Sequence, residues 1–179
     1  MNIDIKAEQQ KAQDAIKEQG LRVLVCAGTG CVANGSMKVI EKFRELGADV
    51  STLTEYDKMT IVPTGCHCFC EQGVLVIIPD KHVTYVKVKE TDVEEIYESH
   101  VKNNQPVERL LYTDPKTQEH VYKNEEINFY AKQTRTALAN CGHINAESID
   151  EAISVRGYEA LANILEKHPV FENYEIISV

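Results

Sequence analysis

The cysteines of this chain fall into two close pairs, and the loops that carry them constrain the fold. Four residues separate Cys26 from Cys31, three separate Cys66 from Cys70, and thirty-four lie between the pairs. If the chain is cytosolic, as argued below, its six cysteines do not indicate a disulfide framework, because thiols are kept reduced in that compartment. The pattern therefore favours metal or redox chemistry, with two loops meeting in space.

Composition narrows the class of protein. The chain has 179 residues, of which 43% are hydrophobic, enough for one domain or for a compact domain with an appendage. A net charge of -9 without a Lys/Arg cluster argues against binding to nucleic acid or to an anionic membrane surface. The polar N-terminus has no apolar signal core, and no stretch approaches the ~18 apolar residues of a membrane helix. We expect a cytoplasmic protein that does not insert into membranes.

Hydrophobic patterning predicts an α/β fold. A short helix over residues 7–17 ends before Gly20, and the apolar run "LRVLVC" reads as a buried strand that leads into Cys26. Asn34 or Ser36 can cap a second helix that stops at Gly47. Two strand candidates follow, "ADVSTLTE" and "MTIVPTG", and the second ends at the other cysteine loop.

The next segment completes the predicted domain. The runs "GVLVIIPD" and "HVTYVKV" form a hairpin around "PDKH", and Thr91 with Glu94 makes a capping box that opens a helix. The order across residues 21–101 is therefore β-α-β-β-β-α, a small sheet with flanking helices.

A boundary is expected after "KNNQP". Residues 105–179 read as mostly helical, with a helix between Asn124 and Gly142, a short one after Asn145 and a third that ends at Pro169. We thus divide the chain into an N-terminal helix at 1–20, a domain at 21–104 and a helical extension at 105–179.

The four paired cysteines suit a two-iron cluster, which takes four thiolates from converging loops. Gly28, Gly30 and Gly65 let the backbone pass close to the sulfurs and turn N–H groups towards them, and Gly73 lies beside the second pair. A zinc site that holds a non-redox interaction module is the alternative, although the first pair is at the upper limit of zinc spacing. Thiol redox chemistry at Cys66, Cys68 and Cys70 is a third hypothesis.

The remaining candidates have simpler interpretations. Cys68 is a filler residue or a substitute for Cys66 or Cys70. His67 is expected to be a surface residue or a modest hydrogen-bond donor, since no second histidine completes a Rieske-type set. Cys141 is expected to be a small buried hydrophobe and His100 a packing histidine.

Several stretches resemble a known family. "VCAGTGC", "TGCHCFCEQG" and "VLVIIPDKHVTYVKVKETDVEEIYESHV" look like the thioredoxin-like [2Fe-2S] ferredoxin domain that begins the NADH-oxidising flavoprotein subunit of NAD(P)-linked and electron-bifurcating hydrogenases, which is related to a complex I subunit. "NFYAKQTRTALANCGHINAESIDEAISVRGYEALANIL" is similar to the lead-in of that subunit's flavin domain. The resemblance implies Cys26, Cys31, Cys66 and Cys70 as metal ligands, a [2Fe-2S] cofactor and partner subunits.

The same resemblance implies a limit on activity. A glycine-rich segment for FMN and NAD(P)H should follow "GYEAL", yet the sequence ends at "YEIISV" without it. We expect a fragment of a longer subunit or a short relative, unable to oxidise NADH alone. The predicted function is relay of single electrons between a flavin and other iron–sulfur clusters of an oxidoreductase complex.

Overall fold

The computed structural model describes residues 4–47 and 59–167 and shows a mixed four-stranded sheet with helices packed on it. The strand order is β2-β1-β3-β4, where β1 and β2 are parallel and the other two pairs are antiparallel. The strands are β1 (Leu21–Cys26), β2 (Met59–Thr64), β3 (Val76–Ile78) and β4 (Val83–Tyr85).

Helices cover the sheet and continue into the C-terminal part. They are α1 (Ile5–Lys17), α2 (Thr29–Ala33), α3 (Ser36–Gly47), α4 (Val93–Glu95, continued as a π-helix over Ile96–Lys102), α5 (Asn128–Ala131), α6 (Ile149–Ser154) and α7 (Glu159–Lys167). A small hairpin of β5 (Tyr112–Thr113) and β6 (His120–Val121) lies between α4 and α5.

The main core lies between the sheet and helices α3 and α4. Val39, Ile40 and Phe43 recur on one face of α3 and are buried, as the helical period requires. They pack with alternate residues of β1 and β3 and with Val93 and Ile96 of α4. Tyr85 is fully buried there, and its hydroxyl lies 2.7 Å from Nδ1 of His100 and accepts from the backbone N–H of Val107.

The C-terminal part folds back onto α1 and β1. The buried carboxylate of Glu151 on α6 lies 2.7 Å from Arg22 Nη2 on β1. The amides of Gln9 and Gln13 on α1 donate to the Ser154 carbonyl. These polar contacts join segments about 130–145 positions apart in the chain.

Most predicted elements of the first hundred residues are present. The helix at 7–17, the strand into Cys26, the helix up to Gly47 and the hairpin around "PDKH" are confirmed. The strand candidate "ADVSTLTE" lies outside the described residues. The continuous helix between Asn124 and Gly142 is wrong, because only Asn124–Glu126 (as 3-10 helix) and Asn128–Ala131 are helical and turns follow. Among the described residues, no helix is long and apolar enough to cross a membrane.

Candidate metal centre

Both cysteine loops leave the sheet at the same edge. Strands β1 and β2 are parallel, and Cys26 at the end of β1 pairs with Thr64 at the end of β2. The chain after β1 enters α2, which contains Cys31, and the chain after β2 forms the loop with Cys66 and Cys70. The parallel pairing therefore places the two cysteine loops at the same edge of the sheet.

Gly28 and Gly73 lie where a side chain would collide with a cysteine of the other loop. A Cβ atom at Gly28 would lie 2.8 Å from Cys66 Cβ and 3.1 Å from its Sγ, and one at Gly73 would lie 2.7 Å from Cys31 Sγ. At Gly30 the distance to Cys70 Sγ would be 3.5 Å, an ordinary contact. The space beside Gly65 is open, although the Gly65 carbonyl lies 4.0 Å from Cys26 Sγ.

The four thiols share one electrostatic environment. A hydrogen bond with Cys31 is the main cause that lowers the pKa of Cys26 to about 6, and the same bond raises the pKa of Cys31. Cys66 raises the pKa of Cys70 through its charge and a hydrogen bond, and it also contributes to the pKa of Cys26. The pKa of Cys26 therefore responds to Cys31 and Cys66, and the pKa of Cys70 responds to Cys66 and Cys26.

The donor set is buried on one side and open on the other. Cys26 and Cys31 are buried, Cys66 is half-buried and Cys70 is exposed, and all are free thiols. Within residues 4–47 and 59–167, no three or more His, Cys, Asp or Glu side chains form a group that could hold a metal ion. A two-iron cluster needs two thiolates per iron rather than three or four ligands around one ion. The chemistry and pairing of these donors fit such a cluster.

A backbone donor supports the second pair. The N–H of Cys68 donates to Cys66 Sγ at 3.3 Å. Cys68 has a φ of +64°, a left-handed conformation that is uncommon for a residue with a side chain.

Helix α5 and the segment after it, whose role the sequence did not reveal, contact the second cysteine loop. The ring of Phe69 stacks on Phe129 with centroids 4.6 Å apart, and the Tyr130 hydroxyl donates to the His67 carbonyl. Arg135 Nη2 lies 3.9 Å from Cys68 Sγ. Only the aromatic residues of "INFY" signalled a packing face in this stretch.

His67 is fully buried, so the expectation of a surface position was wrong. Its ring lies against the backbone of Gly142, where a Cβ atom would collide with it, and faces the His143 ring at 6.1 Å. The pKa of His67 is lowered to about 4, mainly by burial and in smaller part by the charges of His143 and Arg135. Gly142 has a φ of +87° and admits the histidine because it has no side chain.

Comparison with known proteins places this site in a family. The family model described as thioredoxin-like [2Fe-2S] ferredoxin matches residues 15–100. A protein named "Ferredoxin, 2Fe-2S" from Aquifex aeolicus is 37% identical over 87 residues, which are 48% of this chain and 76% of that protein. One of the same name from Clostridium pasteurianum is 34% identical over 80 residues, 45% of this chain and 76% of the relative.

Two further similarities differ in extent. The "NADP-reducing hydrogenase subunit HndC" of Solidesulfovibrio fructosivorans is 55% identical over 38 residues, which are 21% of this chain and 8% of that subunit. The solved thioredoxin-like [2Fe-2S] ferredoxin from Aquifex aeolicus has a TM-score of 0.47 at 31% identity and covers 57% of this chain and 99% of its own. On the sequence matches to the family model and to the two ferredoxins, this chain belongs to the thioredoxin-like [2Fe-2S] ferredoxin family.

Proposed function

We propose that the chain is the electron-transfer module of an NAD(P)H-linked oxidoreductase complex, with a [2Fe-2S] cluster held by Cys26, Cys31, Cys66 and Cys70. The observation that carries this proposal is the meeting of both cysteine pairs at one edge of the sheet, where the parallel strands β1 and β2 end. Family membership supports the cofactor. The cluster supplies reversible one-electron transfer when bound.

The residues around the cysteines have distinct roles in this proposal. Gly28 leaves room for Cys66, Gly30 lies next to Cys70, and the Cys68 N–H stabilises charge on Cys66 Sγ. Burial of Cys26 and Cys31 shields one side of the site from water, whereas Cys70 is exposed. Electron exchange with a partner therefore occurs on the side of Cys66 and Cys70.

The partner class rests on two resemblances. Similarity to a subunit of an NADP-reducing hydrogenase supports a place in a multi-subunit, cytoplasmic hydrogenase or related dehydrogenase. In this proposal, residues 21–104 are the ferredoxin domain, 1–20 its N-terminal helix and 105–179 the lead-in to an FMN- and NAD(P)H-binding domain of the kind found in the complex I flavoprotein subunit. The chain would pass electrons between that flavin and other clusters.

Anaerobic reconstitution followed by potentiometric EPR tests this function. The reduced protein should give a two-iron signal and titrate as a one-electron couple a few hundred millivolts negative, on the order found for plant-type ferredoxins. Catalytic amounts of an NAD(P)H-oxidising flavoprotein with NADPH should reduce the cluster. A colourless protein with one zinc per chain, or a cluster that no such flavoprotein reduces, would refute the proposal.

A further inference from the structure

The C-terminal part of the chain supplies residues to the apolar surroundings of the proposed metal site. Ile127 and Tyr130 are buried, and they share one hydrophobic cluster with Cys26 and Cys31. Both lie beyond residues 15–100, which the ferredoxin family model matches. The surroundings of the two buried cysteines are therefore built in part by residues outside the ferredoxin domain.

Helix α5 is held between the β5–β6 hairpin and the second cysteine loop. On the hairpin side, Asn128 Nδ2 donates to Asp114 Oδ2 at 2.6 Å. On the other side, the Tyr130 ring meets Phe69 edge to face with centroids 5.5 Å apart, and its hydroxyl donates to the His67 carbonyl at 3.3 Å. Contacts on both sides thus fix where the chain leaves α5.

The chain after α5 brings Arg135 to the second cysteine loop. The side chain is half-buried, and its Nη2 lies 3.9 Å from Cys68 Sγ. Arg22, Arg109 and Arg156 each form an ion pair with a carboxylate. No ion pair of Arg135 is found among the described residues, although the chain has a net charge of -9. Its positive charge therefore faces the cysteine loop without a carboxylate to compensate it.

The charge of Arg135 acts on a group that also responds to the proposed ligands. Burial is the main cause that raises the pKa of Tyr130, and the charge of Arg135 opposes this rise. The charges of Cys26, Cys68 and Cys66 contribute to the rise. The Tyr130 hydroxyl thus responds both to Arg135 and to two of the four proposed ligands.

A positive charge at this position favours the reduced state of a cluster. A two-iron cluster with four thiolates has a net negative charge, and reduction adds one electron to it. The attraction between Arg135 and the cluster is therefore stronger after reduction than before it. Arginine is not deprotonated in proteins, so this effect does not depend on a change of protonation.

We propose, on the basis of the electron-transfer function above, that Arg135 raises the reduction potential of the cluster and that α5 positions its charge. The electron comes from the flavin of the proposed complex and goes to the cluster. No bond to Arg135 forms or breaks, and no proton moves. Helix α5 and the residues up to Arg135 are thereby part of the metal centre.

Potentiometric EPR of the anaerobically reconstituted full chain tests this role. In Arg135→Gln, the equilibrium constant for reduction should fall roughly three- to tenfold, which makes the potential of a one-electron couple about 28–59 mV more negative. Arg135→Lys keeps the charge and should restore most of the wild-type potential. Lys132→Gln removes a positive charge from an exposed position directly after α5 and should shift the potential much less.

Alkylation of the metal-free protein locates the charge without the cluster. The ratio of the iodoacetate rate to the iodoacetamide rate at Cys68, measured by peptide mapping, reports the local positive potential, because both reagents react with the same thiolate. This ratio should fall severalfold in Arg135→Gln and stay near the wild-type value in Arg135→Lys and Lys132→Gln. An unchanged ratio in Arg135→Gln would overturn the placement of the charge.

The EPR results also separate this inference from the function on which it rests. Absence of a two-iron signal in the wild type would overturn the proposed function and this inference together. A normal signal with the same potential in wild type and Arg135→Gln would overturn this inference alone. A potential that Arg135→Lys lowers as much as Arg135→Gln does would indicate a lost structural contact rather than a lost charge, and it would overturn the inference too.

Discussion

Gly28 and Gly65 both lie beside Cys66 but meet different surroundings. A Cβ at Gly28 would press on the Cys66 side chain, whereas the same atom at Gly65 would meet nothing within 4 Å. The Gly28 backbone, at φ -63° and ψ 153°, is open to any residue, so only the contact with Cys66 requires glycine there. This difference gives a matched pair of substitutions.

We predict that Gly28→Ala impairs cluster assembly and that Gly65→Ala does not. The added methyl group displaces Cys66, at a cost of about 1–3 kcal/mol typical of overpacking. Iron and acid-labile sulfide per chain, measured after identical reconstitution, should fall in Gly28→Ala only. Equal iron content in the two variants would show that the close approach at Gly28 is not needed.

His100 supplies a prediction about acid stability. The pKa of His100 is lowered from its usual 6.5 to about 4, mainly by burial and in smaller part by the charge of Lys81. Between these values the unfolded chain binds a proton that the folded chain does not, so stability decreases as pH falls from about 6.5 to about 4.

The corresponding measurement compares urea-unfolding midpoints across that pH range. As the pH falls over this range, the free energy of unfolding of the wild type should decrease by about 1–3 kcal/mol more than that of His100→Gln, because glutamine cannot take up the proton. Lys81→Ala is the control: it removes the neighbouring positive charge, and it should change the pH dependence of stability less than His100→Gln does. Parallel pH profiles for wild type and His100→Gln would contradict this assignment.

At the scale of elements, α6 is held to β1 by a buried ion pair. The side chains of Arg22 and Glu151 are 16% and 6% exposed, and Glu151 also accepts from the backbone N–H of Asn145. Removing one partner of a buried pair leaves the other charge without compensation, which is much more costly than loss of a surface pair.

We predict that Glu151→Ala lowers the free energy of unfolding by about 3–5 kcal/mol. Lys11→Ala, which removes an exposed pair with Glu8 on α1, should change it by less than about 1 kcal/mol. The midpoint and slope of urea unfolding give the change in the free energy of unfolding for both variants. Similar small effects for the two variants would mean that the C-terminal part is not anchored through Arg22.

Elements with a strong local signal could be predicted from the sequence, and those fixed by distant contacts could not. Apolar periodicity and Gly47 defined α3, and the alternating hairpin around "PDKH" was equally clear. The stretch after Ala131 has the residue types of a helix, but Phe129 and Tyr130 pack against Phe69 and the following chain turns at Arg135 to meet Cys68. Tertiary packing thus overrides helix propensity there.

The same distinction applies to the site. The sequence alone could place the two cysteine loops at strand ends and a glycine at position 28 close to them, since strand ends and glycines are local features. The burial of His67 did not, because it depends on Gly142, seventy-five positions away in the sequence. The local sequence around His67 does not reveal this contact with the C-terminal segment, so it predicts a surface position for a histidine between cysteines.

For the whole molecule, the parallel pairing of β1 and β2 determines where the cysteines meet. The main core is built from apolar residues of β1, β3, α3 and α4, and the four cysteines do not belong to it. The two cysteine loops contribute Cys26, Cys31 and Phe69 to a second, smaller apolar cluster, and we expect bonds to the iron–sulfur cluster to order them.

We therefore predict that removal of the cluster loosens residues 26–31 and 64–73 while the helix at 93–102 persists. Hydrogen exchange followed by mass spectrometry should show protection lost in the two loops and retained in the helix. Equal protection of the loops with and without the cluster would contradict the proposed dependence on the metal.

Cluster content in single cysteine variants tests most directly whether the four paired cysteines hold a [2Fe-2S] cluster. Anaerobically reconstituted wild type and Cys141→Ser should contain about two irons and two sulfides per chain with a two-iron EPR signal, as expected for a [2Fe-2S] centre with four cysteine ligands. Cys31→Ser and Cys66→Ser should lose or markedly alter that signal. An unchanged spectrum and iron content in both variants would contradict the claim that these four sulfurs hold the cluster.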